Sequence, residues 1–274
     1  MLERELAEAS RMAREAGRIV LELYGDDIEV GFKGVSNPVT EADTRANAYL
    51  VEELERLFPE DGVVAEESQV QSEAVSKRRC WYVDPLDGTK EFIKQNGEFA
   101  VMIGLAIEGE SRLGVVYQPV ADKLYRGVIG EGASMITGGD AIELRVSEIT
   151  PAAALKLVVS RSHRSASIDQ VVQQLAITDE VCSGSVGLKI GMIAERRADL
   201  YVHVSDKSCR WDACGPEAVV RAAGGRFTDL AGDPFVYAGT DVANRRGIVA
   251  CNRASYDEVL PAVRAAGESA GLIV

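Results

Sequence analysis

The stretch "VDPLDGTKEF", residues 83–92, places the carboxylates of Asp84 and Asp87 three positions apart, with a proline between them and a glycine after them. Two like charges this close repel each other when both are ionised, so either one carboxylate carries a proton or a cation lies between them. The proline favours an extended conformation at Asp84, and the glycine permits a sharp exit, so both carboxylates can face one point. The backbone carbonyl of Leu86 adds a third oxygen, and such a set suits a hard cation such as Mg²⁺.

The residues that follow, 88–92, have the pattern of the opening turn of a helix, whose free N–H groups bind anions. A cation site beside an anion site indicates phosphate chemistry assisted by metal ions. For so short a motif, an acidic turn with an Asp cap is the alternative. Other acidic segments favour the metal site: "AEES" with Glu66 and Glu67, "TEAD" with Asp43, and "RWDACGPEA" with Asp212.

The composition excludes several classes of function. The chain has 274 residues, 46% hydrophobic and 27% charged, which is ordinary for a globular protein with a substantial core. A net charge of -13 argues against binding to nucleic acid polymers, which need clustered Lys and Arg. The N-terminus lacks the apolar region of a signal peptide and no run has the length of a membrane span, so we expect a cytoplasmic protein without a membrane partner. Five cysteines without a CxxC pair and only two histidines argue against a disulfide framework or a zinc site.

The order of the apolar patterns predicts a mixed α/β (α+β) chain in two parts. Apolar residues at steps of three and four predict helices over 2–24 and about 41–58, and short apolar runs after them predict a mainly antiparallel sheet with a hairpin over 123–136. After "SEITP", strands and helices alternate. We therefore expect an N-terminal α+β sub-domain, residues 1–148, and a C-terminal α/β sub-domain, residues 149–274, that meet at a cleft.

Taken in order, the acidic segments resemble the inositol monophosphatase superfamily of Mg²⁺-dependent, lithium-sensitive phosphatases. The pattern of Glu-Glu, then Asp-Pro-(Ile/Leu)-Asp-Gly-Thr, then Trp-Asp stands here at Glu66-Glu67, Asp84 to Thr89 and Trp211-Asp212. The likeness runs from "NPVTEAD" to "AAGGRFTD", nearly end to end. It implies a layered α/β/α/β/α sandwich of two sub-domains with the site at their junction.

The resemblance also implies a role for each matching residue. Two Mg²⁺ ions, or three, would be held by Glu66, Asp84, the Leu86 carbonyl, Asp87 and Asp212, with Asp84 between the two main ions. The implied reaction is hydrolysis of a phosphate monoester by a metal-activated water, without a covalent phosphoenzyme. Asp43, paired with the Thr89 hydroxyl, would orient the water and take its proton. The phosphate would be held at Asp87, Gly88 and Thr89.

Within the superfamily, "DGTKEFIKQNGEF" and "SRSH" resemble the 3′(2′),5′-bisphosphate nucleotidase branch. This likeness implies that 3′-phosphoadenosine 5′-phosphate is converted to AMP and phosphate, with lithium as an inhibitor. The expected substrate contacts are Ser160, Arg161, His163, Ser185, Gly187 and Lys189. "SRSH" is also read as a strand end followed by a helix cap. The chain departs from a common form of the branch at Val186, where serine is usual and Ser185 stands one place earlier.

Two other functions remain open at this stage. The first is an inositol-1-monophosphatase or a broad sugar phosphatase on the same scaffold, and the second is a metal- or nucleotide-binding protein without turnover. The expected partner is a small phosphate ester, and the chain is expected as a monomer or a homodimer. His203, on the predicted strand "LYVHV", is expected to be a core or edge residue, because no other His or Cys stands near it at ligand spacing.

Overall fold

The computed structural model describes residues 2–25, 30–32, 38–70, 72–162 and 164–274. Its helices are α1 (Glu3–Glu22), α2 (Glu41–Leu57), α3 (Ser72–Ser76), α4 (Thr89–Ile93), α5 (Ala166–Leu175), α6 (Val186–Ala194), α7 (Arg210–Ala222) and α8 (Tyr256–Ser269). Its strands are β1 (Val30–Phe32), β2 (Pro38–Thr40), β3 (Gly62–Ala65), β4 (Arg79–Asp87), β5 (Ala100–Ile107), β6 (Glu110–Gln118), β7 (Lys123–Val128), β8 (Gly132–Thr137), β9 (Asp140–Leu144), β10 (Lys156–Ser160), β11 (Asp179–Ser183), β12 (Leu200–His203), β13 (Ser208–Cys209), β14 (Arg226–Thr228), β15 (Ala243–Asn244) and β16 (Ile248–Cys251).

The larger sheet has seven strands in chain order from β3 to β9. β3 runs parallel to β4, and every other neighbouring pair is antiparallel, with β7 and β8 forming the expected hairpin. Side chains alternate across the sheet, as strand geometry requires. Trp81 and Val83 pack in the core beneath α1 and α2, whereas Cys80 and Tyr82 pack in the core on the opposite face.

The smaller sheet has five strands in the order β11-β10-β12-β16-β14, in which β11, β10 and β12 are parallel and β16 is antiparallel to its neighbours. Leu157 and Val159 pack in the core with α5 and α8, and Val158 packs in the core with α6 and α7. β11 lies at the edge and has no counterpart in the sequence-based prediction. Its residues, "DEVCS", are polar and mostly not buried, so no apolar pattern marks them.

The layers follow the order α1 and α2, seven-stranded sheet, α6 and α7, five-stranded sheet, α5 and α8. This is the expected α/β/α/β/α sandwich, and the fold prediction is confirmed. The division between residues 148 and 149 stays a prediction, since α6 and α7 come from the second half and pack against both sheets. Among the residues that the structure describes, no helix is long and apolar enough to cross a membrane.

Helix α7 rests with its backbone directly on the seven-stranded sheet. Gly104 and Gly114 face each other across β5 and β6 and lie beneath Gly215 of α7. A Cβ at Gly114 would lie 2.0 Å from the Gly215 carbonyl oxygen, and a Cβ at Gly104 would lie 2.4 Å from the Gly215 nitrogen. Glycine is therefore required at both strand positions, because any side chain would lift the helix. The close approach fixes the first turn of α7, which carries Asp212, against the sheet that carries β4.

Candidate active site

Three carboxylates from distant parts of the chain meet at the junction of the two sheets. Asp84 and Asp87 lie at the end of β4, and Asp212 lies in the first turn of α7; one oxygen of each lies within 4.8 Å of the others. The pairing of β4 with β5 is irregular between Asp84 and Asp87. The segment from Asp84 to Asp87 is thus the last part of a strand, and its irregularity lets both carboxylates approach one point. We call Asp84, Asp87 and Asp212 the acidic trio.

The electrostatics of the acidic trio favour a cation. Asp84 is 1% exposed, and its pKa is raised well above the usual 3.8 by burial first and then by the charges of Glu66, Asp87 and Asp212. Burial and the charges of Glu66 and Asp87 raise the pKa of Asp212 in the same way. These shifts show carboxylates that repel one another in a poorly solvated place. A donor set made only of carboxylate oxygens fits a hard divalent cation such as Mg²⁺.

Glu66 and Leu86 flank the acidic trio. Glu66 follows β3, and its backbone N–H donates to the carbonyl of Val83, 3.1 Å away, so its side chain lines the same cavity as the trio. Among the neighbouring charges, that of Glu66 raises the pKa of both Asp84 and Asp212 the most. The backbone N–H of Leu86 donates to Oδ1 of Asp84 at 2.9 Å, which holds that carboxylate in place. Both residues therefore lie beside the acidic trio and line the same cavity.

Asp43 and Thr89 are joined by a hydrogen bond across 46 positions of the chain. The Thr89 hydroxyl lies 3.0 Å from Oδ1 of Asp43 and 3.3 Å from the carbonyl oxygen of Leu86. The other oxygen of Asp43 accepts from the backbone N–H of Thr40 at 2.7 Å and from its hydroxyl at 2.5 Å. Asp43 thus caps the start of α2 with one oxygen, and this fixes the direction in which the other oxygen points.

Gly88 turns the chain from β4 into α4. Its φ of +103° lies in the left-handed region, and a Cβ there would lie 3.0 Å from the carbonyl oxygen of Glu98. Only glycine adopts this conformation without strain, and only glycine fits. Gly88, Thr89 and Lys90 all line the cavity beside the acidic trio, where an anion would meet the start of α4.

The cavity beside the trio has a volume of about 850 Å³ and is lined by both halves of the chain. Its lining includes Glu66, Asp84, Asp87, Thr89, Glu91, Ser160, Ser162, Arg164, Lys189, His203, Lys207 and Asp212. The volume falls in the upper part of the range for pockets that enclose small organic ligands. The cavity therefore has room for a phosphate beside the acidic trio and for a large group attached to that phosphate.

Two expected substrate contacts, Ser160 and Lys189, line the cavity. Lys189 is 1% exposed; its Nζ donates to the carbonyl of Gly184 at 2.8 Å and lies 5.1 Å from the centre of the Tyr201 ring. Burial lowers the pKa of Lys189 to about 8, although the negative charge of Asp87 acts in the opposite direction. Lys189 thus places a cation beside the acidic trio in the wall of the cavity.

The other expected substrate contacts have different surroundings. The Ser185 hydroxyl and the Gly187 N–H, the latter at 2.9 Å, both donate to Oδ2 of Asp87, so these two residues position a member of the acidic trio. Arg161 is outside the cavity lining and pairs with Glu98. His163 lies outside the residues that the structure describes.

His203 and Arg164 line the cavity although the sequence did not mark them as site residues, and Lys207, which lies near this half of the site in the sequence, lines it as well. His203 was expected in the core or at an edge, and it ends the central strand β12 with its ring stacked near that of Tyr201 at 6.4 Å between centres. Ser160 ends the neighbouring parallel strand β10. Ligands bind beyond the carboxyl ends of parallel strands, and this rule is the signal that could have found His203.

Comparison with known proteins agrees with this geometry. The model of the inositol monophosphatase family matches residues 1–268. The 3′(2′),5′-bisphosphate nucleotidase CysQ of Escherichia coli strain K12 is 36% identical over 235 residues, which cover 85% of this chain and 93% of that protein.

Two solved structures are similar over almost the whole chain. The extragenic suppressor protein SuhB from Bartonella henselae has a TM-score of 0.81 at 26% identity and covers 95% of this chain and 98% of its own. CysQ from Bacteroides thetaiotaomicron, a bacterial member of the inositol monophosphatase family, has a TM-score of 0.76 at 27% identity and covers 91% of this chain and 97% of its own. The resemblance seen in the sequence is thereby confirmed: the chain belongs to the inositol monophosphatase family and is a phosphatase.

Proposed function

We propose that the chain is a Mg²⁺-dependent 3′(2′),5′-bisphosphate nucleotidase that converts 3′-phosphoadenosine 5′-phosphate to AMP and phosphate. The observation that carries the proposal is the opening of the acidic trio onto a cavity of about 850 Å³ with cationic side chains in its wall. The 36% identity to CysQ of Escherichia coli supports the nucleotide as the substrate.

The residues of the site divide into cation ligands and proton-handling groups. Glu66, the acidic trio and the Leu86 carbonyl would hold Mg²⁺, which when bound supplies an activated water and charge for the departing oxygen. Asp43 would accept the proton of the attacking water, because its Oδ1 is held towards the Thr89 hydroxyl and away from α2. The backbone at Gly88 and Thr89, together with Asp87, would orient the phosphate.

The rest of the cavity would bind the remainder of the nucleotide. Lys207 lines it and offers positive charge to the phosphate that is not hydrolysed. Arg164 lines it too, and its guanidinium pairs with Asp169 and Glu180. Val159, Ile168 and Val202 line it as well and offer an apolar surface to the base. A small sugar phosphate would leave much of this surface unused, which favours the nucleotide.

The second candidate is an inositol-1-monophosphatase or a broad sugar phosphatase. The specific observation in its favour is that the matching family model, over residues 1–268, is that of the inositol monophosphatases. The structures of SuhB and CysQ share the fold of this chain at similar identity, 26% and 27%, so the fold alone does not separate the two substrates.

Phosphate release from purified chain at matched Mg²⁺ separates the two candidates. We expect kcat/KM for adenosine 3′,5′-bisphosphate to exceed that for inositol 1-phosphate by at least about 100-fold, because the unused cavity wall costs the smaller substrate binding energy. Activity should vanish on addition of EDTA and return with Mg²⁺. A preference for inositol 1-phosphate would reject the nucleotidase proposal in favour of the second candidate.

A further inference from the structure

The two segments that resemble the nucleotidase branch contact each other in the fold. "KEFIKQNGEF", residues 90–99, lies in the first half of the chain, and "SRSH" lies about seventy positions later. Glu91 accepts a hydrogen bond from the Ser162 hydroxyl at 2.5 Å, and Glu98 forms an ion pair with Arg161. We call these two contacts, Glu91–Ser162 and Glu98–Arg161, the clamp.

The Glu98–Arg161 contact has the geometry of a two-bond pair. Nε of Arg161 lies 2.6 Å from one carboxylate oxygen of Glu98, and Nη2 lies 2.5 Å from the other. Nη2 also donates to the carbonyl of Cys182 at 3.3 Å. Such a fork fixes the orientation of both side chains as well as their distance. The guanidinium of Arg161 is therefore directed at Glu98 and at the edge strand β11 rather than into the cavity.

The Glu91–Ser162 contact is partly buried. Glu91 is 3% exposed and belongs to α4, which starts at the proposed phosphate loop. The Ser162 hydroxyl donates to Glu91 and accepts from Nζ of Lys94 at 3.0 Å. Gly184 packs against the same carboxylate side chain, since a Cβ there would lie 2.4 Å from Cγ of Glu91. A buried carboxylate that lost the serine would lose a hydrogen bond that water does not readily replace.

The clamp connects two walls of the cavity. Thr89, Lys90 and Glu91 line one side, and residues 160, 162, 164 and 165 line another. The scissile phosphate is proposed to lie at the first wall, so the second wall is available for the far part of a large substrate. Any change in the distance between the walls would alter binding of a large substrate more than binding of a small one.

We infer that the clamp determines which phosphate esters the site accepts, by holding the wall around Ser160 and Arg164 at a fixed distance from the phosphate loop. Glu91 and Glu98 are positioning residues. Arg161 acts through its pairing with Glu98 and does not contact the substrate. The identity of the large substrate rests on the proposed function, whereas the clamp itself rests only on these contacts.

The first test is Glu98→Gln, which keeps the size of the side chain and removes its charge. We expect KM for adenosine 3′,5′-bisphosphate to rise about fivefold with kcat little changed, the effect of losing a partly exposed ion pair. KM for p-nitrophenyl phosphate, a small ester, should rise less. Glu108→Gln is the matched control, because Glu108 pairs with Arg78 in an exposed turn and is not among the cavity-lining residues. Equal changes for the two esters would overturn the inference.

The second test exchanges the charges of the pair. Arg161→Glu alone should raise KM for the nucleotide, and Glu98→Arg combined with Arg161→Glu should restore it to within about twofold of the wild-type value, since the pair can form in reverse. A folded double variant, checked by its melting curve, that stays as impaired as Arg161→Glu would show that Arg161 touches the substrate and would overturn the inference. If the double variant does not fold, the KM changes of Glu98→Gln for the two esters decide whether the inference holds.

The proposed function and the clamp are tested by different kinetic measurements. The preference of the wild-type chain between the nucleotide and inositol 1-phosphate tests the proposed function. The clamp is tested by the ratio of variant to wild-type KM for the ester that the wild-type chain prefers, compared with the same ratio for p-nitrophenyl phosphate.

Discussion

At the scale of single residues, the site depends on carboxylates held closer together than their charges favour. Asp84 is buried beside three other acidic side chains, and the charge of each of these three raises the pKa of Asp84. Hydrogen bonds compensate in part: the N–H of Leu86 donates to Asp84, that of Cys209 donates to Asp212, and the Ser185 hydroxyl and the Gly187 N–H donate to Asp87. A bound divalent cation would offset the remaining repulsion, so the residues are arranged for a ligand rather than for the stability of the chain alone.

The first residue-scale prediction concerns Asp43 and Thr89. Asp43→Asn should lower kcat by at least about 100-fold, because the amide cannot take a proton from water. Its oxygen can still accept from Thr40, so the melting temperature should change little. Asp140→Asn, on an exposed edge strand, is the control and should keep full activity.

Because the two residues act as a unit, the double variant Asp43→Asn/Thr89→Val should be no slower than the slower single variant. Steady-state kinetics with the nucleotide measure this. Losses that multiply in the double variant would show that Asp43 and Thr89 act separately.

The second residue-scale prediction concerns metal removal and pH. A carboxyl group whose pKa is raised by folding causes no loss of stability below its unfolded pKa, near 3.8 for Asp84, and destabilises the fold increasingly as pH rises above it. In EDTA, Asp84→Asn should therefore melt above the wild-type chain at about pH 8, by about 3 °C or more, and the difference should shrink towards about pH 5.

Mg²⁺ should raise the melting temperature of the wild-type chain more than that of Asp84→Asn, because binding to the folded state stabilises it by mass action. Thermal melts at several pH values measure both effects. A variant that is less stable than the wild-type chain in EDTA at high pH would contradict the account of the repulsion.

Some residues of the site could be predicted from the sequence, and others could not. Asp84, Asp87 and Asp212 were identified because their residue types and spacing match a family pattern, and the fold brings them together. Arg161 carries no local sign that Glu98 is its partner, since the pair forms only when β10 and the segment after α4 meet. Partners across a tertiary contact follow from packing, which periodicity does not encode.

At the scale of elements, α7 connects the packing of the fold to the site. Its backbone lies on two strand glycines, and its first turn presents Asp212. A capping contact supports that turn, because Oδ2 of Asp212 accepts from the N–H of Cys209 at 2.5 Å. The position of one carboxylate of the acidic trio is therefore set by how closely a helix approaches a sheet.

Gly114→Ala should displace α7 and with it Asp212. The added Cβ would lie 2.0 Å from the carbonyl of Gly215, so we expect a loss of about 3 kcal/mol or more in the free energy of unfolding and weaker Mg²⁺ binding. Gly31→Ala, whose nearest neighbour would be a Val39 methyl at 3.3 Å in an exposed two-stranded sheet, is the control. Denaturant unfolding and Mg²⁺ titration measure the two effects. Wild-type stability and Mg²⁺ affinity in Gly114→Ala would refute the role of this contact.

The helices and strands that bury an apolar face could be predicted from the sequence, whereas the exposed edge strands could not. α1, α2 and the inner strands of the large sheet bury apolar residues, which the sequence shows directly. β9 and β11 are edge strands whose residues are mostly not buried, and they form because a neighbouring strand offers backbone hydrogen bonds. Their existence depends on the tertiary fold rather than on their own side chains.

At the scale of the whole molecule, the site lies where the two sheets and the central helices meet. β4 of the first sheet supplies Asp84 and Asp87, whereas α7 and the carboxyl ends of β10 and β12 supply Asp212, Ser160 and His203. No single segment contains the full set. The function therefore depends on the complete sandwich, and the clamp is one of the contacts by which the two halves keep a fixed relation at the cavity.

The most direct test of the central claim is a crystal structure of the chain soaked with Mg²⁺ and adenosine 3′,5′-bisphosphate. We predict divalent ions in contact with Asp84, Asp87 and Asp212, with Glu66 among the ligands and a phosphate of the nucleotide beside Thr89. Ions bound elsewhere, or a nucleotide phosphate remote from the acidic trio, would contradict it.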